Sequence, residues 1–134
     1  MNEQMIRGFV EAEMQRLGFA YTNEDGYMVL TAGQGGKRWK MAISFGENRI
    51  SCYAAYPRQI PQERRAEMLE RLNDINAAAR FGSYFLIATK QEYMIAYRYD
   101  IPIADIYSIA ECFEHGLKNT AAAFCARWDN FAGS

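Results

Sequence analysis

The sequence predicts a two-layer α+β domain in the order helix, three strands, helix, two strands, helix, with an antiparallel sheet and helices on one face. Three observations predict it. Apolar residues recur at steps of three and four in three separate stretches, which is the spacing of a helix with one buried side. Between those stretches apolar residues alternate with others at a period of two, as in strands with one buried face. The alternating stretches are joined by turns too short for a parallel crossover, so neighbouring strands run antiparallel. Nothing divides the 134 residues into parts, and a chain of this length buries a core without staples, so residues 1–134 are expected to form one domain.

The first helix is expected from about Glu3 to Leu17, with Ile6, Phe9, Val10, Met14 and Leu17 at helical spacing and Gly18 in the usual place of a left-handed cap. A polar turn, Thr22 to Gly26, leads to the first strand, Tyr27 to Thr31. Gly33-Gln34-Gly35-Gly36 forms a turn into the second strand, Lys37 to Phe45, where Trp39, Met41, Ile43 and Phe45 alternate with Arg38, Lys40, Ala42 and Ser44. Gly46-Glu47-Asn48 turns the chain into the third strand, Arg49 to Tyr56, which Pro57 is expected to stop. Pro61 suits the first turn of a second helix striped by Met68, Leu72, Ile75 and Ala79, with Gly82 at its end. Two strands follow, Ser83 to Thr89 and Tyr93 to Asp100, and Pro102 introduces a final helix from roughly Ala104 to Phe131. Its stripe is Ile106, Ile109, Phe113, Leu117, Thr120, Phe124 and Trp128, which reads as core, with Gly116 as the place for a bend or a split. Ala121-Ala122-Ala123 is small enough for close packing within the chain or across a dimer.

Composition narrows the function. Half the residues are hydrophobic and 23% are charged, which is globular and not disordered composition. A net charge of -1 without a basic stripe speaks against nucleic acid as a partner; Lys37, Arg38 and Lys40 form a short cluster, and Arg64-Arg65 lies between acids. No apolar run nears the ~20 residues that cross a bilayer, and the amino-terminal residues do not form a signal peptide, so no membrane partner and a cytoplasmic location are expected. The three cysteines, Cys52, Cys112 and Cys125, form no C-x-x-C pair and predict reduced thiols, with neither a disulfide framework nor a zinc site.

Each catalytic motif fails on its chemistry. The run Gly33 to Arg38 is not a phosphate loop: Lys37 is followed by Arg38 where a metal-binding hydroxyl is needed, the position five before Gly36 is Thr31, and a strand follows instead of a helix. Cys112 and His115 lie three apart on the last helix, but two ligands do not complete a metal site and the chain has no second histidine. Glu11 with Glu13, Glu24 with Asp25, and Glu111 with Glu114 fit solvated helix faces and turns. The expectation is therefore no enzyme, no catalytic residue, no metal and no cofactor.

The tyrosines carry more information. On the last strand Tyr93, Ile95, Tyr97 and Tyr99 point one way and Met94, Ala96 and Arg98 the other. If Met94 and Ala96 face the helices, the tyrosines lie on the opposite sheet face, where Tyr53 joins them. These rings either pack in the core or form a homodimer or client-binding surface, because aromatic residues with a polar tip suit interfaces.

The order of elements resembles the type III secretion chaperone-like superfamily, and in particular its YbjN-like branch. The similarity is greatest where Arg71-Leu72-Asn73-Asp74-Ile75-Asn76 leads through Phe81-Gly82-Ser83-Tyr84-Phe85 to a tyrosine-rich strand, followed by Ile101-Pro102 and a long helix. The resemblance implies a bacterial, non-enzymatic, often dimeric protein that holds or regulates other polypeptides. The expected function is thus chaperone-like or regulatory protein binding, with another polypeptide as partner and a homodimer as the expected state. The alternative is a small-molecule-sensing regulatory domain with a pocket between helix and sheet.

Overall fold

The computed structural model describes residues 1–79 and 81–132. Its elements are α1 (Glu3–Leu17), β1 (Thr22–Glu24), β2 (Tyr27–Gln34), β3 (Lys37–Gly46), β4 (Arg49–Pro61), α2 (Arg65–Ala78), β5 (Ser83–Ala88), β6 (Glu92–Pro102), α3 (Ile109–Ala126) and α4 (Trp128–Phe131). All strands form one antiparallel sheet in the order β1-β2-β3-β4-β6-β5. The expected α+β architecture stands: the helices pack on one face, and β5, reached through α2, forms the far edge.

Local chemistry sets the boundaries. Asn2 caps α1 by accepting the Met5 backbone N–H at 2.9 Å. At the other end Gly18 has φ 78°, its N–H donating to Gln15 O and that of Phe19 to Met14 O, a Schellman motif. Gly35 and Gly36 both have positive φ and sit between the paired residues Gln34 and Lys37. That is the two-residue turn a tight hairpin requires, so the glycine run serves the β2–β3 hairpin.

β2 runs on to Gln34, and Pro61 ends β4 instead of opening α2, which starts at Arg65; three further boundaries differ from the sequence expectation. Thr22 to Gly26 is not only a turn: Thr22–Glu24 pairs with Val29–Tyr27 as a short strand, and Asp25 and Gly26, both at positive φ, make the turn. Three residues are too few for alternation to show. Pro57 does not stop the third meander strand. β4 continues to Pro61 because the pairing with β6 shifts between Ala55 and Gln59, and an irregularity of this kind accommodates a residue that has no N–H to give. The last helix begins at Ile109, after a single 3-10 turn capped by the Asp105 side chain, and breaks at Arg127 instead of at Gly116. Gly116 is buried, and its missing side chain lets α3 lie against Ile101 of β6.

The core lies between the sheet and the helices. α1 contributes Ile6, Val10 and Met14; β3 contributes Trp39, Met41, Ile43 and Phe45; α3 contributes Ile109, Phe113 and Phe124. Tyr56 stacks on Phe124 with ring centroids 3.8 Å apart and donates its hydroxyl proton to Phe124 O at 2.7 Å. Tyr84 donates likewise to Ala123 O at 2.8 Å. Two sheet tyrosines thereby bond carbonyls near the end of α3, where a helix runs out of its own partners.

Candidate protein-binding face

The alternation that buries one sheet face leaves the other uncovered. Register places Val29, Ala42, Tyr53, Arg98 and Ser83 in line across β2, β3, β4, β6 and β5, and none of these belongs to the row under the helices. On this open face Tyr27, Tyr53 and Phe85 form a row of rings. Tyr27 and Tyr53 meet edge to face at 6.1 Å and 78°, and Tyr53 and Phe85 at 6.4 Å and 80°. Such T-shaped pairs place the positive ring edge against the negative ring face. Ala42, small and central, leaves an open depression of about 510 Å³ between Tyr27 and Val29 on one side and Phe85 and Ile87 on the other. Tyr27 and Ile87 are 40% and 39% exposed, and with Val29 and Phe85 they line one contiguous apolar patch.

Charge surrounds the rings in both signs. The Arg98 guanidinium lies 5.3 Å from the Tyr53 ring centroid, a cation–π contact, and donates from Nε to Asp100 Oδ1 at 3.0 Å. Ser51 Oγ donates to the same carboxylate oxygen at 2.6 Å. Partial burial pushes the Asp100 carboxyl up, but these two hydrogen bonds and the charges of Arg98 and Arg49 outweigh it and hold it below its ordinary value. Asp100 thus stays ionised and fixes Arg98 over Tyr53. Lys40, Glu24 and Asp25 complete the rim of the depression.

The residues singled out from the sequence do not come together. Ile95 and Tyr97 are 1% exposed, paired with Leu86 and Tyr84, and face the helices. Tyr93 and Tyr99 share that side, half-buried against the core. Met94, Ala96 and Arg98 face the open side, the reverse of the assumed orientation, and Tyr53 alone of the five lies there. Tyr97 donates its hydroxyl proton to Phe81 O at 3.0 Å and packs on Tyr84 at 4.8 Å. The signal for the correct orientation was in the strand: Arg98 and Asp100 share the parity of Met94 and Ala96, and two charged residues are costly to place under helices. Phe85 and Ile87 carried no such signal, because Ser83–Ala88 is apolar on both faces.

The other candidates resolve as structure. Cys112 is half-buried beside the core, His115 is exposed, and among the described residues no group of three or more His, Cys, Asp or Glu could hold a metal. Cys52 is buried, and burial together with the Asp100 charge pushes its thiol up to about 12, so it remains protonated and inert as a nucleophile. Among the described residues no helix is long and apolar enough to cross a membrane.

A helix-backed antiparallel sheet with one aromatic face left open is the arrangement these residues build. The family model described as "YbjN: Putative bacterial sensory transduction regulator" matches residues 8–108, and the chain belongs to the YbjN family. It is similar to a solved structure described as "Crystal structure of YbjN, a putative transcription regulator from E. coli", with a TM-score of 0.65 and 14% identity. That match covers 84% of this chain and 81% of the other. At this identity the likeness is one of fold. No curated protein matches the chain.

The motif that carried the resemblance now has a physical meaning. Asn76 of α2 donates from Nδ2 to Tyr84 O at 2.8 Å and accepts the Tyr84 N–H at Oδ1 at 2.7 Å, pinning helix to strand. Gly82 has φ 63°, and a Cβ there would lie 2.2 Å from Tyr97 Oη and 2.6 Å from Arg98 O. Only glycine fits this approach of chain to sheet.

Proposed function

We propose that this YbjN-family chain is a non-enzymatic cytoplasmic regulatory domain that acts by binding another polypeptide through the open face of its sheet. The observation that carries the reading is the row Tyr27–Tyr53–Phe85, rings ordered against one another yet covered by no helix among the described residues. Aromatic side chains that bury much area and lose few rotors are what protein interfaces concentrate at their centres. The family description as a regulator supports the same role. A second copy of the chain is the first partner to test. Two such faces stack at the usual sheet separation of about 10 Å, and a rim bearing both Lys40 and Glu24 avoids like-charge accumulation.

Light scattering of the wild type and of a Tyr53→Ser, Phe85→Ser double variant, followed by affinity capture with each, tests the proposal. The wild type should retain one reproducible polypeptide, its own copy or another, and the variant should release it while still folding. Equal retention by both proteins would refute the role of this face.

One observation favours a small-molecule reading as the second choice. An apolar cleft of about 300 Å³ lies between α1, the β2–β3 hairpin and α3, lined by Leu17, Phe19, Leu30, Trp39, Leu117 and Ala121. Its volume is at the lower end of ligand sites. A thermal-shift screen separates the readings: a ligand of this cleft raises the melting temperature of the open-face variant as much as that of the wild type.

A further inference from the structure

The far edge of the sheet carries a second binding feature, distinct from the open face. β5 is an edge strand, and strand edges present unpaired N–H and C=O groups that another chain can complete. The Asn76 bonds show which β5 residues point outward. Both backbone groups of Tyr84 go to Asn76, away from β6, and in an antiparallel strand that direction repeats every second residue. Leu86 and Ala88 therefore turn their N–H and C=O groups to the same outer side. On the inner side Thr89 is consistent with this, its N–H donating to Glu92 O at 2.8 Å within the β5–β6 hairpin. The Asn76 side-chain amide, donor and acceptor at once, takes the place that one backbone unit of a seventh strand would fill.

Beyond Asn76 no described residue fills this place. A groove of about 510 Å³ runs between α2 and the β5 edge, walled by Leu69 and Leu72 on the helix and by Leu86 and Ala88 on the strand. Leu69 is 38% exposed. At the Ala88 end stands Arg65, its guanidinium 5.8 Å from the ring centroid of Tyr93. Arg65 is the charged residue lining the groove, and it forms no ion pair among the described residues. A helix beside a free strand edge, with apolar walls and one unmatched cation, fits an extended chain bearing a carboxylate. Main-chain hydrogen bonds would supply affinity, and the walls and the cation would supply selectivity.

We propose that an acidic, extended peptide segment of a partner docks in this groove as a seventh strand, pairing with Leu86 and Ala88 and placing a carboxylate against Arg65. This rests on the reading of the chain as a polypeptide binder but assigns a separate site and a chemistry for the segment bound.

The test uses two labelled peptides, one alternating valine and glutamate and the other valine and lysine, with fluorescence anisotropy and amide chemical shifts as readouts. The acidic peptide should bind and shift the Leu86 and Ala88 amides. Leu86→Pro removes an outward N–H and no bond to β6, a substitution an edge strand tolerates, and should abolish binding. Arg65→Glu should weaken the acidic peptide by about five-fold and strengthen the lysine peptide, as reversal of an exposed ion pair does. Should Leu86→Pro unfold the chain, this exchange of preference decides alone. The proposal is overturned if neither peptide binds, if the preference survives Arg65→Glu, or if the shifts fall on Tyr27 and Tyr53 of the open face instead of on the β5 edge. It is equally overturned if the wild type is a dimer that Leu86→Pro dissolves, because a second copy then fills the edge. The single Tyr53→Ser variant, whose site lies on the open face and outside this groove, should bind the acidic peptide normally, so failure of either site is read independently.

Discussion

Replacing Gly116 by alanine isolates how closely α3 lies on the sheet. In an exposed helix interior this change stabilises by about 0.8–1 kcal/mol, because alanine loses less backbone freedom on folding. At Gly116 the new Cβ would come 2.1 Å from Ile101 Cδ1 and 2.6 Å from Cγ1. Ile101 is itself 4% exposed and has little room to withdraw. Overpacking of this kind costs about 1–3 kcal/mol, and at distances this short the upper half of the range applies. The helix gain offsets part of it, leaving Gly116→Ala destabilised by about 1–2 kcal/mol, or roughly 3–10 °C in melting temperature. Gly8 provides the control within the same chain: it lies in α1, and a Cβ there meets nothing within 4 Å. Gly8→Ala should therefore stabilise by about 0.5–1 kcal/mol. Urea unfolding followed by far-UV circular dichroism measures both, with unchanged m-values confirming comparable end states. If Gly116→Ala is stabilised as much as Gly8→Ala, α3 does not approach β6 as described and the packing argument fails.

Two further expectations test the orientation of the sheet faces and the buried phenols. Tyr97→Ser should cost about 3–5 kcal/mol, as deletion of a large core ring does, whereas Tyr53→Ser should cost about 1 kcal/mol or less; equal losses in urea titrations would refute the assignment of faces. Burial pushes Tyr97 up to about 12 and raises Tyr56 and Tyr84 as well, so the native chain holds phenolic protons that the unfolded chain releases. Their contribution is present below about pH 10 and is lost as pH rises from there toward the folded values, at no more than about 1.4 kcal/mol per pH unit for each group. Urea midpoints should fall between about pH 9 and pH 11, and less steeply in Tyr56→Phe; a flat profile would show that these hydroxyls are not buried.

What was legible in the sequence depended on length and on contrast. α1 and β3 are long, with strongly contrasting faces and glycine at or beside their ends, and their limits came within a residue of the structure. β1 was hidden because three polar residues hold no period, and the extension of β4 because a proline in a strand usually marks its end. The face of β6 was misassigned for a different reason. Tyrosine is equally at home under a helix and on a surface, so Tyr93, Tyr97 and Tyr99 gave no contrast, and the decisive residues were Arg98 and Asp100. The open face could not have been assembled from the sequence at all. Tyr27, Tyr53 and Phe85 come from three strands that are not adjacent in the sheet, and only the register β2-β3-β4-β6-β5 brings them into one row.

The two faces of the sheet therefore divide the work of its aromatic residues. Under the helices, Tyr56, Tyr84 and Tyr97 each send a hydroxyl to a backbone carbonyl, so each ring is buried with its polar tip satisfied. On the open side, Tyr27 and Tyr53 form no hydroxyl bond among the side-chain bonds of the described residues, and their tips are free for water or a partner. A fold needs the first arrangement for stability, because an unpaired hydroxyl under a helix costs about 1–3 kcal/mol. It has no need of the second, since a sheet face in water is satisfied by threonine, lysine and glutamate. The presence of large rings where the fold does not require them is the physical argument for contact with another chain. It separates this face from the β5 edge, where the backbone and not the side chains would make the bond.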